Sequence, residues 1–149
     1  MSDNILIFIP TDPDYIPEPS AQQEAQDVLR AFVPDADEVK AQTTDEVELV
    51  FTGPNLERIL CPDCGAQLDE WWIQAVDAAY NHTRFTNLLV TLPCCGATRS
   101  LNDLRYEWPT GFTRFRLEAH NPNKSKGDVV LPALEQILKC QLRSIWAHI

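Results

Sequence analysis

The sequence predicts an α+β fold with a mainly antiparallel sheet and about three helices, and three observations predict it. Segments 4–10, 37–52 and 112–120 are continuously apolar or alternate with the period of two that marks strands. Segments 20–32, 70–81 and 131–142 repeat apolar residues at helical spacing. Two short turns, each carrying two cysteines and closed by a glycine, are separated by one of these helices and a strand, so both turns are built into a larger core.

Taken in order, residues 4–10 read as a first strand, apolar on both faces and therefore central in its sheet. Pro13, Pro17 and Pro19 deny regular structure to the acidic stretch after it, because proline lacks an N–H and restricts the residue before it. Ser20 stands as the N-cap of the first helix with Gln23 in capping-box position, and Ala21, Ala25, Val28, Leu29 and Phe32 form its stripe. Residues 37–52 alternate as two strands, with Thr43-Thr44-Asp45 as the hairpin turn and Gly53-Pro54-Asn55 as the end. Asp69 is placed to cap a second helix over 70–81, with Trp72, Val76 and Ala79 facing inward and Ile73 and Tyr80 flanking them. Trp71 and Trp72 are adjacent and cannot both point inward, so one is expected partly exposed or over the cysteine turn. A strand at 86–92 leads to the second turn, and Ser100 caps one helical turn ending at Leu104. An extended piece through Trp108 and Pro109 follows, then the alternating strand 112–120, whose face with Phe112, Arg114, Arg116, Glu118 and His120 is expected to be wet. After an exposed loop at 121–127 come a third helix over 131–142 and a final strand over 143–149.

The chemistry-bearing stretch is Cys61-Pro62-Asp63-Cys64-Gly65 with Leu92-Pro93-Cys94-Cys95-Gly96. Two residues between thiolates let both sulfurs face one point, and the glycine takes the left-handed backbone that follows, so Cys61 and Cys64 supply half a tetrahedron. Cys94 and Cys95 are the other half, giving a structural Zn2+ site of four cysteines with His82 as reserve ligand. The second turn departs from the pattern: a matching first thiolate belongs at Leu92 and sits instead beside the last one, which predicts a strained backbone at the adjacent pair. A redox pair at Cys61 and Cys64, or unliganded core cysteines, are the alternatives. Cys140, outside the set, reads as a small buried hydrophobe.

Both turns resemble zinc-ribbon knuckles, over about a quarter of the chain. The whole sequence also resembles a family of small bacterial proteins, through its Ile-Pro-Thr-Asp-Pro opening at 9–13, its Cys-Cys-Gly turn and its Trp-Ala-His close at 146–148. The knuckle resemblance implies a rigid prop; neither resemblance implies a reaction.

The length of 149 residues suits one domain, with an acidic strand and helix part at 1–60, a metal part at 61–100 and a strand-helix-strand part at 101–149. No run approaches membrane-spanning length, and the apolar run 5–9 has no basic region before it, so a cytoplasmic location is expected. Cysteines at metal-ligand spacing fit that reducing compartment. The net charge of −10 is one-sided: residues 1–60 hold thirteen acidic and three basic residues, whereas the rest hold nine of each.

No His-x-Glu with Pro-Cys-x-x-Cys, no His-Glu-x-x-His and no Gly-x-Ser-x-Gly is present, and four cysteines would leave no open metal position, so no catalytic residue is expected. Arg99, Arg105, Arg114 and Arg116 with Tyr106, Trp108 and Phe112 are the candidate nucleic-acid patch, opposed by the net charge. The preferred expectation is a protein partner, most concretely a basic toxin, held by Asp12, Asp14, Tyr15, Glu18, Asp45, Glu46 and Glu48 within the acidic surface of 11–57. In this reading the chain is an immunity or inhibitor protein.

Overall fold

The structure, a computed structural model, describes residues 3–50, 58–107, 110–122 and 127–148. Expectations for 51–57, Trp108, Pro109, 123–126 and Ile149 lie outside the described residues.

The elements run β1 (Asn4–Pro10), α1 (Pro19–Phe32), β2 (Glu38–Leu49), β3 (Ile59–Leu60), α2 (Asp69–Thr83), β4 (Leu89–Thr91), β5 (Thr98–Ser100), a 3-10 turn (Leu101–Asp103), β6 (Arg105–Tyr106), β7 (Phe112–His120), α3 (Gly127–Leu138) and β8 (Leu142–His148). The α+β expectation holds: a four-stranded sheet in the order β2-β7-β1-β8, every pair antiparallel, stands beside the two-stranded pairs β3-β6 and β4-β5. β1 is central and buried along nearly its whole length, as its two-faced apolar run demands. Its alternation divides the packing. Leu6 and Phe8 join Phe115, Leu117, Ala25 and Leu29 of α1, and Leu134 and Leu138 of α3, while Ile5, Ile7 and Ile9 gather with Ile145 and Ala147 on the opposite face. Cys140 packs, partly buried, against the first of these cores, and burial and then Glu135 push its thiol up to about 11.

Several local expectations are corrected. Residues 43–45 are not a hairpin turn. β2 runs on through them, and residues 44–47 bulge opposite the single residue 114 of β7. Arg114 supports the bulge: its Nε donates to the Thr44 carbonyl at 3.2 Å, and the Thr44 hydroxyl donates to the Glu46 carbonyl at 2.7 Å. Ser20 is not the N-cap of α1, because Pro19, preset to helical φ and without an N–H to satisfy, starts the helix two residues earlier behind Glu18. Asp69 does not cap α2 either: its carboxylate accepts the Ile59 N–H at 2.8 Å and the Gln67 amide at 3.0 Å, so it ties the helix start to β3 while Leu68 takes the cap position. Ile73 and Tyr80 are 60 % and 41 % exposed and do not flank a buried face. α3 begins before residue 131 and ends at Leu138, where Lys139 turns left-handed and Glu135 accepts the Leu142 N–H at 2.9 Å. The strand expected over 86–92 is confined to Leu89–Thr91. The face of β7 expected to be wet is half-buried, and Glu118 on it is buried between Arg116 and His120.

The part that carries the two cysteine turns, from β3 to β6, joins the sheet through Asn102. This buried residue accepts the Phe112 N–H at 2.8 Å on its side-chain oxygen and donates to the Thr11 carbonyl at 2.9 Å; its backbone carbonyl accepts from Arg143 at 3.1 Å. Arg143 also donates to the Thr110 carbonyl at 2.6 Å, and burial lowers its pKa. A Cβ on Gly111 would lie 2.6 Å from the Arg143 guanidinium, 2.8 Å from Ile9 and 2.9 Å from Asn102, so a side chain there would displace the groups that make the junction.

Candidate metal centre

The two turns share one backbone pattern. The Cys61 N–H donates to the Ala66 carbonyl at 2.9 Å and the Gly65 N–H to the Cys61 carbonyl at 3.0 Å. In the second turn the Leu92 N–H donates to the Ala97 carbonyl at 2.8 Å and the Gly96 N–H to the Leu92 carbonyl at 2.8 Å. Leu92 therefore stands where Cys61 stands, Cys95 where Cys64 stands, and Cys94 where Asp63 stands. Gly65 and Gly96 carry the left-handed backbone at φ 77° and 75°. Leu92 is 1 % exposed and fills the apolar space between the hairpin and the small core, and the missing thiolate is supplied two residues later from the tip of the turn.

This brings Cys61, Cys64, Cys94 and Cys95 together with every Sγ within 4.8 Å of the others. The Cys61 and Cys95 sulfurs are 3.8 Å apart. A tetrahedron with Zn–S bonds of about 2.3 Å requires S···S separations of about 3.8 Å, so the donor set fits Zn2+ in kind, number and spacing. His82 is not in this cluster. Cys61 is buried, whereas Cys64, Cys94 and Cys95 are exposed, which places the centre at the edge of the small core formed by Ile59, Leu68, Leu88, Leu92, Leu101 and Leu104.

The four thiols are electrostatically coupled. Burial pushes the Cys61 thiol up, but the N–H groups of Cys64 and Asp63, each 3.4 Å from its sulfur, and the neighbouring thiols outweigh this and bring it down to about 7. Burial and then the Cys64, Cys61 and Cys95 thiols push Cys94 up to about 12. At Cys95 the Ala97 N–H acts downward, yet burial and Cys61 leave the thiol raised. Four thiolates so close cannot coexist without a cation, and a divalent metal provides the compensation. Arg99, on β5, grips Asp63 of the first turn with bonds of 2.9 and 2.7 Å, bracing one knuckle against the strand that follows the other. The Asp63 carboxyl is held below its usual range by that hydrogen-bonded guanidinium.

The acidic residues singled out for partner binding divide in two. Asp12, Asp14, Glu18, Asp45, Glu46 and Glu48 are exposed, whereas Tyr15 is half-buried and donates its hydroxyl to the Leu138 carbonyl at 2.7 Å, which makes it an anchor for α3. Asp12 accepts the Asp14 N–H at 3.1 Å. Glu48 pairs with Arg116 at 3.3 Å. Although some thirty residues apart in sequence, the two acidic segments converge on Arg114: its N–H donates to the Pro13 carbonyl at 3.0 Å, and its carbonyl accepts the Thr44 hydroxyl at 3.3 Å. Of the candidate nucleic-acid patch, Arg99, Arg114 and Arg116 are engaged within the chain, Phe112 is fully buried and Tyr106 hydrogen-bonds Trp72 and the Leu101 carbonyl.

Sequence reasoning missed the Asp63–Arg99 brace and the Asn102 junction, because neither pairing leaves a spacing signal. No protein-family model, curated protein or solved structure matches the chain. The resemblance to small bacterial proteins thus gains no support from them, while the knuckle resemblance rests on the cysteine cluster itself. No helix among the described residues is long and apolar enough to cross a membrane.

Proposed function

We propose that the chain is a non-enzymatic, zinc-stabilised protein-binding domain whose metal is structural. The observation that carries this reading is the set of four sulfurs within 4.8 Å of one another, contributed by two turns of the same backbone form. Such a set completes a tetrahedron and leaves no position for a metal-bound water, which hydrolysis at zinc requires. The partner class is a basic protein, and its most concrete member is a toxin with a basic active-site face, for which this chain serves as immunity or inhibitor protein. Two facts support that choice: the excess negative charge lies wholly in residues 1–60, and the segments bearing Asp12, Asp14, Asp45 and Glu46 converge on Arg114.

The test is retention of a purified basic toxin on the immobilised, zinc-loaded chain. Reversing the charges of Asp12, Asp14, Glu18, Asp45, Glu46 and Glu48 together is expected to abolish retention while zinc content stays unchanged. Undiminished retention would remove the acidic surface from the account. A reaction lost on changing one carboxylate or histidine in a still-folded protein would overturn the non-enzymatic reading.

A further inference from the structure

α2 is fifteen residues long and none of them is buried. It packs on the small core through Trp71, Trp72, Ala75, Val76 and Ala79, and a cavity lies between it and β4. Two cavities lie between α2 and the chain from β4 to the second knuckle, and Trp71 lines both. One, of about 340 Å³, has Ala75, Ala78 and Ala79 on the helix wall and Leu89, Val90 and Thr91 on the strand wall. The other, of about 540 Å³, continues past Trp71 to Asp69 and Glu70 on the helix side and Pro93 and Cys94 on the other. Together they form a trough along α2, a length of about 22 Å for a helix of this size.

The two ends differ in chemistry. The alanines leave room for the side chains of another molecule, and Leu89, 62 % exposed, presents apolar surface beside them. The knuckle end is anionic: Asp69 and Glu70 stand there with Cys94, and zinc held by four thiolates carries a net charge of about −2. The indole of Trp71 sits where the ends meet. Trp72 next to it donates to Tyr106 at 3.0 Å, whereas Trp71 makes no such bond among the described residues. The face of a tryptophan attracts an ammonium or guanidinium group, and a neighbouring carboxylate adds to that attraction.

We infer that this trough anchors the partner, taking a protein segment that lays apolar side chains along Ala75, Ala78 and Leu89 and places a lysine or arginine against Trp71 and Glu70. The inference rests on the protein-binding reading above and adds a second contact to it. The acidic residues around Arg114 steer a basic protein by long-range attraction, and the trough holds it by burial and a desolvated cation. An extended segment of six or seven residues, at about 3.3 Å each, spans the trough.

The test uses zinc-loaded, isotope-labelled full chain and an acetylated, amidated seven-residue peptide that begins Lys-Leu-Val-Leu, followed by amide and indole chemical shifts. The expected result is saturable change at the Trp71 indole and the amides of Ala75, Ala78 and Leu89. Replacing the peptide's lysine by glutamate, or making Glu70→Lys or Leu89→Asp in the protein, should each weaken binding about fivefold or more. Both positions are exposed, and unchanged zinc content with an unchanged sheet spectrum establishes that the variants fold. Equal response to the lysine and glutamate peptides, no effect of the two variants, or no saturable change in the trough would overturn the inference. So would self-association of the free chain that fills the trough with a second copy. Changes confined to 12–18 and 44–48 would also overturn it, while leaving the protein-binding reading in place.

Discussion

Helices α2 and α3 differ in what holds them. α3 buries Val130, Leu134 and Leu138 in the core under the four-stranded sheet, where Phe8, Phe115 and Leu117 are fully covered. α2, although longer, buries no residue and leans on a small core whose rim is the cysteine cluster. The sheet region is held by apolar burial. The other region has four thiols where more core would otherwise be needed, and in the proposed account zinc held by them supplies its cohesion.

The largest way to test that contrast is to remove the metal. Structural zinc sites contribute apparent binding free energies of ~10 kcal/mol or more at neutral pH, far beyond what the packing of α2 supplies. Chelation, or Cys95→Ser, should therefore abolish amide-exchange protection across α2, β4 and β5 while β1, β7 and β8 stay protected. Loss of both regions together would show that they are not energetically separable. Zinc affinity should also fall on acidification, by about tenfold per pH unit for each thiol that has to lose its proton on binding. With Cys94 near 12 and Cys61 near 7 in the metal-free chain, proton release on zinc addition at pH 6 should exceed that at pH 8, measured in weakly buffered solution.

On the other side of the comparison, Phe8→Ala should cost about 3–5 kcal/mol in denaturant unfolding, the range for large core truncations, without altering zinc stoichiometry. Asn102→Ala tests the junction. It leaves the buried Phe112 N–H without its partner, at about 1–3 kcal/mol, and removes the part-buried bond to the Thr11 carbonyl. It should let the two regions unfold at separate temperatures in calorimetry.

How much of this was legible follows from the physics of each signal. β1, β7, β8 and the Ser100-capped turn announce themselves by local patterning, and the Ser100 hydroxyl does accept the Asn102 N–H at 3.2 Å. The four-cysteine cluster was legible because the glycines mark the end of each turn, although the regular register of the second turn was not, since Leu92 replaces a sulfur with core apolar surface. The hairpin at 43–45 misled for the opposite reason: threonines and an aspartate read as a turn, and what keeps β2 running through them is Arg114, some seventy residues away. The trough was hidden by the same helical period that predicted α2, because a stripe of alanines looks the same whether it faces a core or an open groove.

The smallest effect belongs to the surface brace between the knuckles. Asp63→Asn should lower the thermal midpoint slightly at low salt and not at high salt, as expected for an exposed ion pair. The Asp63 carboxyl is held below its usual value, so the native pair's contribution is complete above about pH 4 and disappears as pH falls through the folded-state pKa. A midpoint difference that persists in high salt would contradict this.

The most direct measurement of the central claim is elemental analysis of chain purified without added zinc, with reactive thiols counted before and after chelation. The account predicts about one zinc per chain and four thiols, those of Cys61, Cys64, Cys94 and Cys95, becoming reactive when it is removed. Metal-free protein that keeps α2 protected, or a metal whose removal exposes fewer than four thiols, would contradict a closed structural centre and return these cysteines to redox or hydrolytic chemistry.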